Sequence, residues 1–62
     1  RFNYLLIEWH PPHLTGRTLD AALQEHGFSL VHCGFPFYAL DEEGDPLDYI
    51  IGTGLWAKHT QS

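Results

Sequence analysis

The chain is short and acidic, with 62 residues and three Lys or Arg side chains against eight Asp or Glu, which gives a net charge of −5. This length suits a single domain, and the acidity argues against direct binding to nucleic-acid phosphates or to an anionic membrane surface. No apolar run approaches the roughly 18 residues of a membrane span. Cys33 is the only cysteine, which excludes an internal disulfide and favours a reducing, cytoplasmic location.

The first predicted element is a β-strand over residues 2–9. Apolar side chains occupy both alternating faces of this segment, from Phe2 to Trp9. A strand that is apolar on both faces is typical of the centre of a sheet. Pro11 and Pro12 follow it and lack the amide donors that a ladder needs, so the strand ends before them.

A short amphipathic helix is predicted over residues 18–28. Its apolar face has the spacing i, i+3, i+4 and i+7 and comprises Leu19, Ala22, Leu23 and His26. Thr15 or Thr18 is expected to be the N-cap, because a threonine hydroxyl accepts a hydrogen bond from an amide of the first turn. Gly27 can adopt the left-handed conformation that ends a helix, which lets Phe28 fold back on Leu23.

Four segments are predicted in the second half of the chain: a strand over 28–33, extended structure over 37–40, a turn over 41–46 and a return strand over 47–52. Gly34 and Pro36 interrupt the first of these segments, because neither residue suits the interior of a ladder. Gly44 and Pro46 are turn residues. The return strand would pair antiparallel with the segment before the turn.

The predicted fold is therefore α+β, with the order β-α-β-β, an antiparallel hairpin and one helix packed on one face of the sheet. The domain covers 1–57, the Gly-Thr-Gly stretch at 52–54 punctuates the chain, and 58–62 form a frayed tail. The second sheet face retains aromatic side chains, such as Phe2, Tyr4, Phe35 and Phe37. Because a monomer rarely leaves so large an apolar patch in water, we expect a twofold homodimer, through stacked sheet faces or joined edge strands, or a partner protein that covers the patch.

Acidic side chains cluster in the predicted turn and are candidate contacts for a partner: Asp41, Glu42, Glu43 and Asp45. An EF-hand loop starting here would need Gly and Glu where the chain has Pro46 and Gly52, so a calcium site is not predicted. Two interpretations remain open. The cluster is either a solvated hairpin tip or an acidic contact that steers a basic partner surface towards this protein.

The histidines near the first turn are a candidate metal site. His10 and His13 flank the Pro-Pro pair, and Glu8 or His26 would complete a zinc-binding set by residue type. The spacing matches no known zinc motif. The alternative interpretation is polar surface around the turn.

Three aromatic side chains are further candidate contact residues: Trp9, Tyr38 and Trp56. Trp and Tyr dominate the hot spots of protein interfaces, so an exposed group of them would form a binding platform. Packing in the core or in a dimer interface is the alternative.

No catalytic residue is predicted. His32 and Cys33 are adjacent in a strand and point to opposite faces, so they do not form a nucleophile–base pair. The leading hypothesis is a non-enzymatic protein–protein interaction module, an inhibitor or regulator that binds a basic surface of a partner, including a nucleic-acid-binding site of that partner. The alternatives are a His-based metal-binding module or small metalloenzyme, and a dimeric enzyme with a small-molecule site between subunits.

Overall fold

The computed structural model describes residues 1–12 and 14–59. In chain order the elements are strand β1 (Phe2–Trp9), helix α1 (Gly16–Glu25), strand β2 (Ser29–Gly34), a first 3₁₀ helix (Phe37–Ala39), a second 3₁₀ helix (Pro46–Asp48) and strand β3 (Gly52–His59). The strands form one antiparallel sheet in the order β1-β3-β2, and α1 packs against it. The predicted α+β class and the order β-α-β-β are confirmed. No helix in the described part of the chain is long and apolar enough to cross a membrane.

The return strand predicted over 47–52 is wrong, because a 3₁₀ helix occupies the start of that segment. Pro46 stands in its first turn, where a missing amide donor costs nothing. The Asp45 side chain caps it by accepting a hydrogen bond from the Leu47 amide at 3.0 Å. The local capping signal therefore prevails over the alternating pattern that predicted a strand.

The Gly-Thr-Gly stretch at 52–54 begins the central strand β3, whereas it was predicted to punctuate the chain after the return strand. β3 also extends past the predicted boundary at residue 57, since Lys58 pairs with Asn3 and His59 pairs with Phe2. Residues 60–62 of the predicted tail lie outside the described residues. The third strand is thus displaced towards the C-terminus by five residues from its expected start.

Strand β1 has the bounds predicted for it, but it lies at one edge of the sheet and not at its centre. Its two apolar faces were predicted to mark a strand at the centre of a sheet, covered on both sides. In the structure only one of those faces is covered by α1, so the apolar side chains on the other face remain exposed. The extended structure predicted over 37–40 is also wrong, since Phe37–Ala39 form the first 3₁₀ helix.

Both ends of helix α1 follow the predicted capping chemistry. Thr15 is the N-cap, and its hydroxyl accepts a hydrogen bond from the Thr18 amide at 3.3 Å. At the other end Gly27 has a φ of +87°, and the Phe28 amide donates to the Leu23 carbonyl at 3.0 Å. This left-handed reversal confirms the predicted helix end, although the helix starts earlier than expected.

The apolar face of α1 is narrower than predicted. Leu19 and Leu23 pack against the core, whereas Ala22 and His26 are exposed. The helix is rotated so that Asp20 also turns towards the sheet and is half-buried. Counting apolar spacing alone missed this rotation, because it gives no weight to a carboxylate that has a buried partner.

The core is built on two tryptophans. Trp56 is fully buried, Trp9 and Leu47 are almost so, and the two indole rings lie 6.2 Å apart between centroids. The Trp56 indole N–H donates to Asp20 Oδ1 at 2.9 Å, and the Trp9 indole N–H donates to the Tyr49 carbonyl at 3.0 Å. Because both indole donors are paired, neither ring carries the cost of an unsatisfied buried polar group.

Three glycines make room for these rings. A Cβ atom at Gly16 would stand 2.2 Å from Trp9 Cζ2, and one at Gly52 would stand 2.3 Å from the same atom. A Cβ atom at Gly54 would stand 2.4 Å from the Trp56 ring. Gly52 and Gly54 therefore serve packing beneath the indoles, and the interpretation of this stretch as punctuation is wrong.

Candidate interaction site on the uncovered sheet face

The sheet has one face that no element covers in the described part of the chain, hereafter the uncovered face. It is formed by alternate residues of the two paired strands: Phe2, Tyr4 and Leu6 of β1 with Leu55, Ala57 and His59 of β3. Phe2, Tyr4 and Leu6 are 54%, 60% and 75% exposed. The side chains between them in β1 point to the helix side, where Leu5 and Ile7 pack against the core. The predicted surplus of apolar surface on this side of the sheet is thus present.

A groove runs beside this face, hereafter the aromatic groove, with a volume of about 430 Å³. Its lining comes from the strands and from the segment that follows β2: Leu6, Glu8, His32, Gly34, Phe35, Pro36, Phe37, Tyr38, Thr53, Gly54 and Leu55. Phe37 is 84% exposed and Tyr38 is 60% exposed, and their rings meet edge to face with centroids 5.6 Å apart. Leu6 belongs to both surfaces and joins them into one patch.

The exposed apolar area of this patch is large for so small a protein. At roughly 200 Å² for each whole side chain, the exposed fractions of Phe2, Tyr4, Phe37 and Tyr38 amount to roughly 500 Å². Leu6 adds to that value. The largest apolar patch on a typical monomer covers about 300–600 Å² and is often functional. The patch also approaches the roughly 800 Å² that each partner contributes to a standard interface.

Acidic side chains follow the aromatic groove in the chain. Asp41 comes three residues after Tyr38, so its Cα lies within about 11 Å of the Tyr38 Cα. Asp41, Glu42 and Glu43 are exposed. Tyr49 fixes this segment to the fold, since its hydroxyl donates a hydrogen bond to the Glu43 carbonyl. The negative charge predicted for partner contact thus lies near the apolar patch.

Asp45 differs from the other predicted acidic contacts because it has a partner within the fold. Its Oδ2 accepts a hydrogen bond from Arg17 Nη2 at 2.8 Å, while Arg17 Nε donates to Asp48 Oδ1 at 2.6 Å. The hydrogen bond and charge of Asp48, together with those of Asp45, raise the pKa of Arg17. This pair of ion pairs joins the start of α1 to the second 3₁₀ helix, so Asp45 orders the loop.

Two of the three predicted aromatic contacts are in the core. Trp9 is 5% exposed and Trp56 is 0% exposed, so the prediction that they form a binding platform is wrong. Their burial follows from the glycines beneath them and from the partners of their indole N–H groups. Tyr38 does line the aromatic groove. Leu6 and Leu55 were missed, although the even-numbered alternation of β1 was the signal for Leu6.

The candidate metal ligands are only partly described. His10 is exposed, and His13 lies outside the described residues. Within residues 1–12 and 14–59, no three His, Cys, Asp or Glu side chains converge in a way that would hold a metal ion. The zinc site at His10 and His13 therefore stays a prediction.

His32 and Cys33 point to opposite faces of β2, as predicted. His32 lies opposite Leu55 and lines the aromatic groove, whereas Cys33 lies opposite Gly54 and packs against the core. Burial raises the pKa of the Cys33 thiol above its ordinary value of 9.0, and the charges of Asp45 and Asp20 add to the effect. A thiol held in its protonated form is a poor nucleophile.

No family model matches this sequence, and no curated protein or solved structure is similar to it. The uncovered face and the aromatic groove offer apolar area, aromatic rings and nearby carboxylates. These are the chemical means of binding another macromolecule, since aromatic side chains supply contact area at low entropic cost.

Proposed function

We propose that this domain is a non-enzymatic protein–protein interaction module that acts in the cytoplasm as a small regulator or inhibitor. The observation that carries the proposal is the continuous patch in which Phe2, Tyr4 and Leu6 adjoin a groove with Phe37 and Tyr38 at its side. Exposing so many large apolar side chains is unfavourable in water, and a bound partner removes that cost.

The binding energy is expected to come from a few aromatic anchors. Burial of roughly 500 Å² of apolar surface corresponds to about 12 kcal/mol gross at 25 cal/mol per Å². Association costs of about 4–15 kcal/mol offset most of that value. Phe37 and Tyr38 therefore decide the affinity, because they present the largest aromatic area beside a concave surface that an apolar side chain of the partner can enter.

The partner is expected to carry a basic surface. The protein has a net charge of −5, and Asp41, Glu42 and Glu43 place three carboxylates near the aromatic groove. Such charges raise the rate of encounter with a cationic surface more than they raise the affinity. A nucleic-acid-binding site of another protein is one surface of this kind.

The test compares partner capture by matched variants. Phe37→Ala with Tyr38→Ala removes the two groove aromatics, and Leu40→Ala is the control, because Leu40 is 69% exposed but does not line the groove. Partners that the unmodified domain recovers from host extract are quantified, purified and titrated against each variant. We expect a loss of affinity of at least tenfold for the double variant and less than twofold for the control.

Charge reversal tests the second part of the proposal. In Glu42→Lys with Glu43→Lys, the association rate of the purified partner should fall several-fold at low salt and approach that of the unmodified domain at high salt, because salt screens exposed charges. If the variant with Phe37→Ala and Tyr38→Ala retains the same partners in full, the proposal that the aromatic groove is the docking site is wrong. An association rate that does not change with salt contradicts the basic partner.

A further inference from the structure

The two edges of the sheet differ in how they are protected against pairing with another strand. The β2 edge is six residues long, has an irregular register between Leu30 and His32, and ends at Gly34, two residues before Pro36. Short strands, bulges and prolines are the usual protections of an edge. The β2 edge is therefore a poor template for another strand.

The β1 edge lacks the short length and the bulge of β2, although Pro11 follows its end by two residues just as Pro36 follows the end of β2. It is eight residues long, pairs with β3 in unbroken register from Phe2 to Trp9, and has no partner on its other side in the described part of the chain. Glu8 is the only charged residue in the strand, which contains neither Lys nor Pro. A long, regular and apolar edge is a template for intermolecular pairing.

A second groove adjoins the β1 edge on the helix side of the sheet. It has a volume of about 210 Å³ and is lined by Ile7, Glu8, Trp9, His10, Leu14 and Leu19. A strand added to β1 would direct alternate side chains into this groove and the others onto the uncovered face. Both faces of the added strand would then meet apolar surface, and β1 itself is a strand with two apolar faces.

We propose that β1 pairs antiparallel with β1 of a second copy of this chain, about a twofold axis normal to the sheet, to form one six-stranded sheet. In such a pair, opposed side chains lie on the same face. Because successive side chains of a strand alternate between faces, two opposed residues have numbers that are both even or both odd, and the sum of the two numbers is even. Tyr4 and Leu6 of each copy then meet each other or themselves near the axis.

Charge favours the antiparallel arrangement between two acidic chains. The acidic segment joins β2 to β3, and Gly52 at the start of β3 lies opposite Trp9, so this segment lies at the Trp9 end of β1. Antiparallel pairing places the two acidic segments at opposite ends of β1, which spans about 26 Å at 3.3 Å per residue. That distance is about three Debye lengths at physiological salt. The same arrangement brings Arg1 of one copy near Glu8 of the other, with opposite charges.

The thin core is a second reason for self-association. Only three hydrophobic residues of the described part are buried, namely Trp9, Leu47 and Trp56. Pairing through β1 removes apolar surface from water on both sides of the sheet. It also joins the uncovered faces of the two copies into one band.

This inference does not rest on the proposed function, because pairing uses the backbone edge of β1, whereas the test of the docking site uses Phe37 and Tyr38, which lie outside β1. Light scattering over a range of concentrations should give twice the chain mass of 7.1 kDa. Phe37→Ala should leave that mass unchanged. A monomer at all concentrations up to about 1 mM, or loss of the dimer in Phe37→Ala, overturns pairing through the edge.

Oxidative cross-linking locates the contact. In a Cys33→Ala background, Tyr4→Cys and Leu6→Cys are prepared singly and mixed, since both side chains are exposed. One of the three combinations should form a disulfide-linked dimer at least tenfold faster than Val31→Cys, which is 57% exposed on the other edge strand and is the matched control. The linked combination reports the register of the pair. Cross-linking of Val31→Cys at the same rate, or of none of the β1 combinations, contradicts the proposal.

Discussion

Gly52→Ala is predicted to destabilise the fold severely, because the Trp9 ring lies in a narrow slot. The new Cβ atom would stand 2.3 Å from Trp9 Cζ2, more than 1 Å inside an ordinary carbon–carbon contact. The ring has little room to move towards α1, because it already lies so close to Gly16 that a Cβ atom added there would stand 2.2 Å from the same ring atom. Rotation about the side-chain bonds would break the hydrogen bond from the Trp9 indole to the Tyr49 carbonyl.

The expected magnitude follows from these contacts. Overpacking a core costs about 1–3 kcal/mol, and leaving the indole N–H or the carbonyl unpaired costs about 1–3 kcal/mol more. Alanine recovers about 0.5–1 kcal/mol relative to glycine through its lower chain entropy in a strand. We therefore expect a net loss of about 1–5 kcal/mol for Gly52→Ala, with a centre of about 3 kcal/mol. A domain of this size has a stability of only about 3–5 kcal/mol, so the variant should lose most of its free energy of unfolding.

The measurement is urea unfolding followed by far-ultraviolet circular dichroism, with Gly34→Ala as the control. Gly34 lies in β2 and has no atom within 4 Å of a built Cβ, so its substitution should change the free energy of unfolding by at most about 1 kcal/mol, in the stabilising direction. Trp9→Leu should reduce the effect of Gly52→Ala when the two are combined, because the clash is with the indole. Equal effects of Gly52→Ala and Gly34→Ala would refute the slot argument.

Two further predictions concern the polar and the thiol groups around the core. Asp20→Ala should reduce the free energy of unfolding by about 1–3 kcal/mol in the same assay, because the N–H of the fully buried Trp56 loses its acceptor. Asp20→Asn keeps an acceptor and should reduce the free energy of unfolding by less. Equal losses for the two variants would contradict this explanation. Burial raises the pKa of Cys33, so the native state favours the protonated thiol. The stability that this preference contributes is present below about pH 9 and is lost as the pH rises through the native pKa. A disulfide reagent should therefore label Cys33 much more slowly in the folded protein than in urea at pH 8, and equal rates would show that the thiol is not shielded.

Local signals in the sequence predicted local structure correctly. The alternation over residues 2–9 marked the bounds of β1, and Thr15 and Gly27 marked the two ends of the helix region. The two helix ends depend on hydrogen bonds between residues close in the chain, such as that from the Phe28 amide to the Leu23 carbonyl, whereas β1 pairs with the distant β3 and only its alternation and the following prolines are local signals. The bonds at the helix ends form in the same way whatever the rest of the chain does.

The candidate site was predictable only in part. The surplus of apolar surface was predictable, because one helix covers only one face of a sheet that is apolar on both faces. The exposed side chains of Phe2 and Tyr4 are part of this surplus. The identity of the exposed aromatics did not follow from composition. Trp9 and Trp56 have the side chain that is also typical of a surface hot spot. Their burial depends on the glycines beneath the rings and on the acceptors Asp20 and the Tyr49 carbonyl.

By itself, the sequence determined the order β-α-β-β, the first strand, the helix ends and the presence of more apolar surface than one helix covers. Only the tertiary structure decided that Gly52 begins the central strand and that Trp9 and Trp56 lie in the core. The physical reason is that these features depend on contacts between distant parts of the chain. A glycine leaves the same mark in a sequence whether it ends a strand or makes room for an indole ring 43 residues away, as Gly52 does for Trp9.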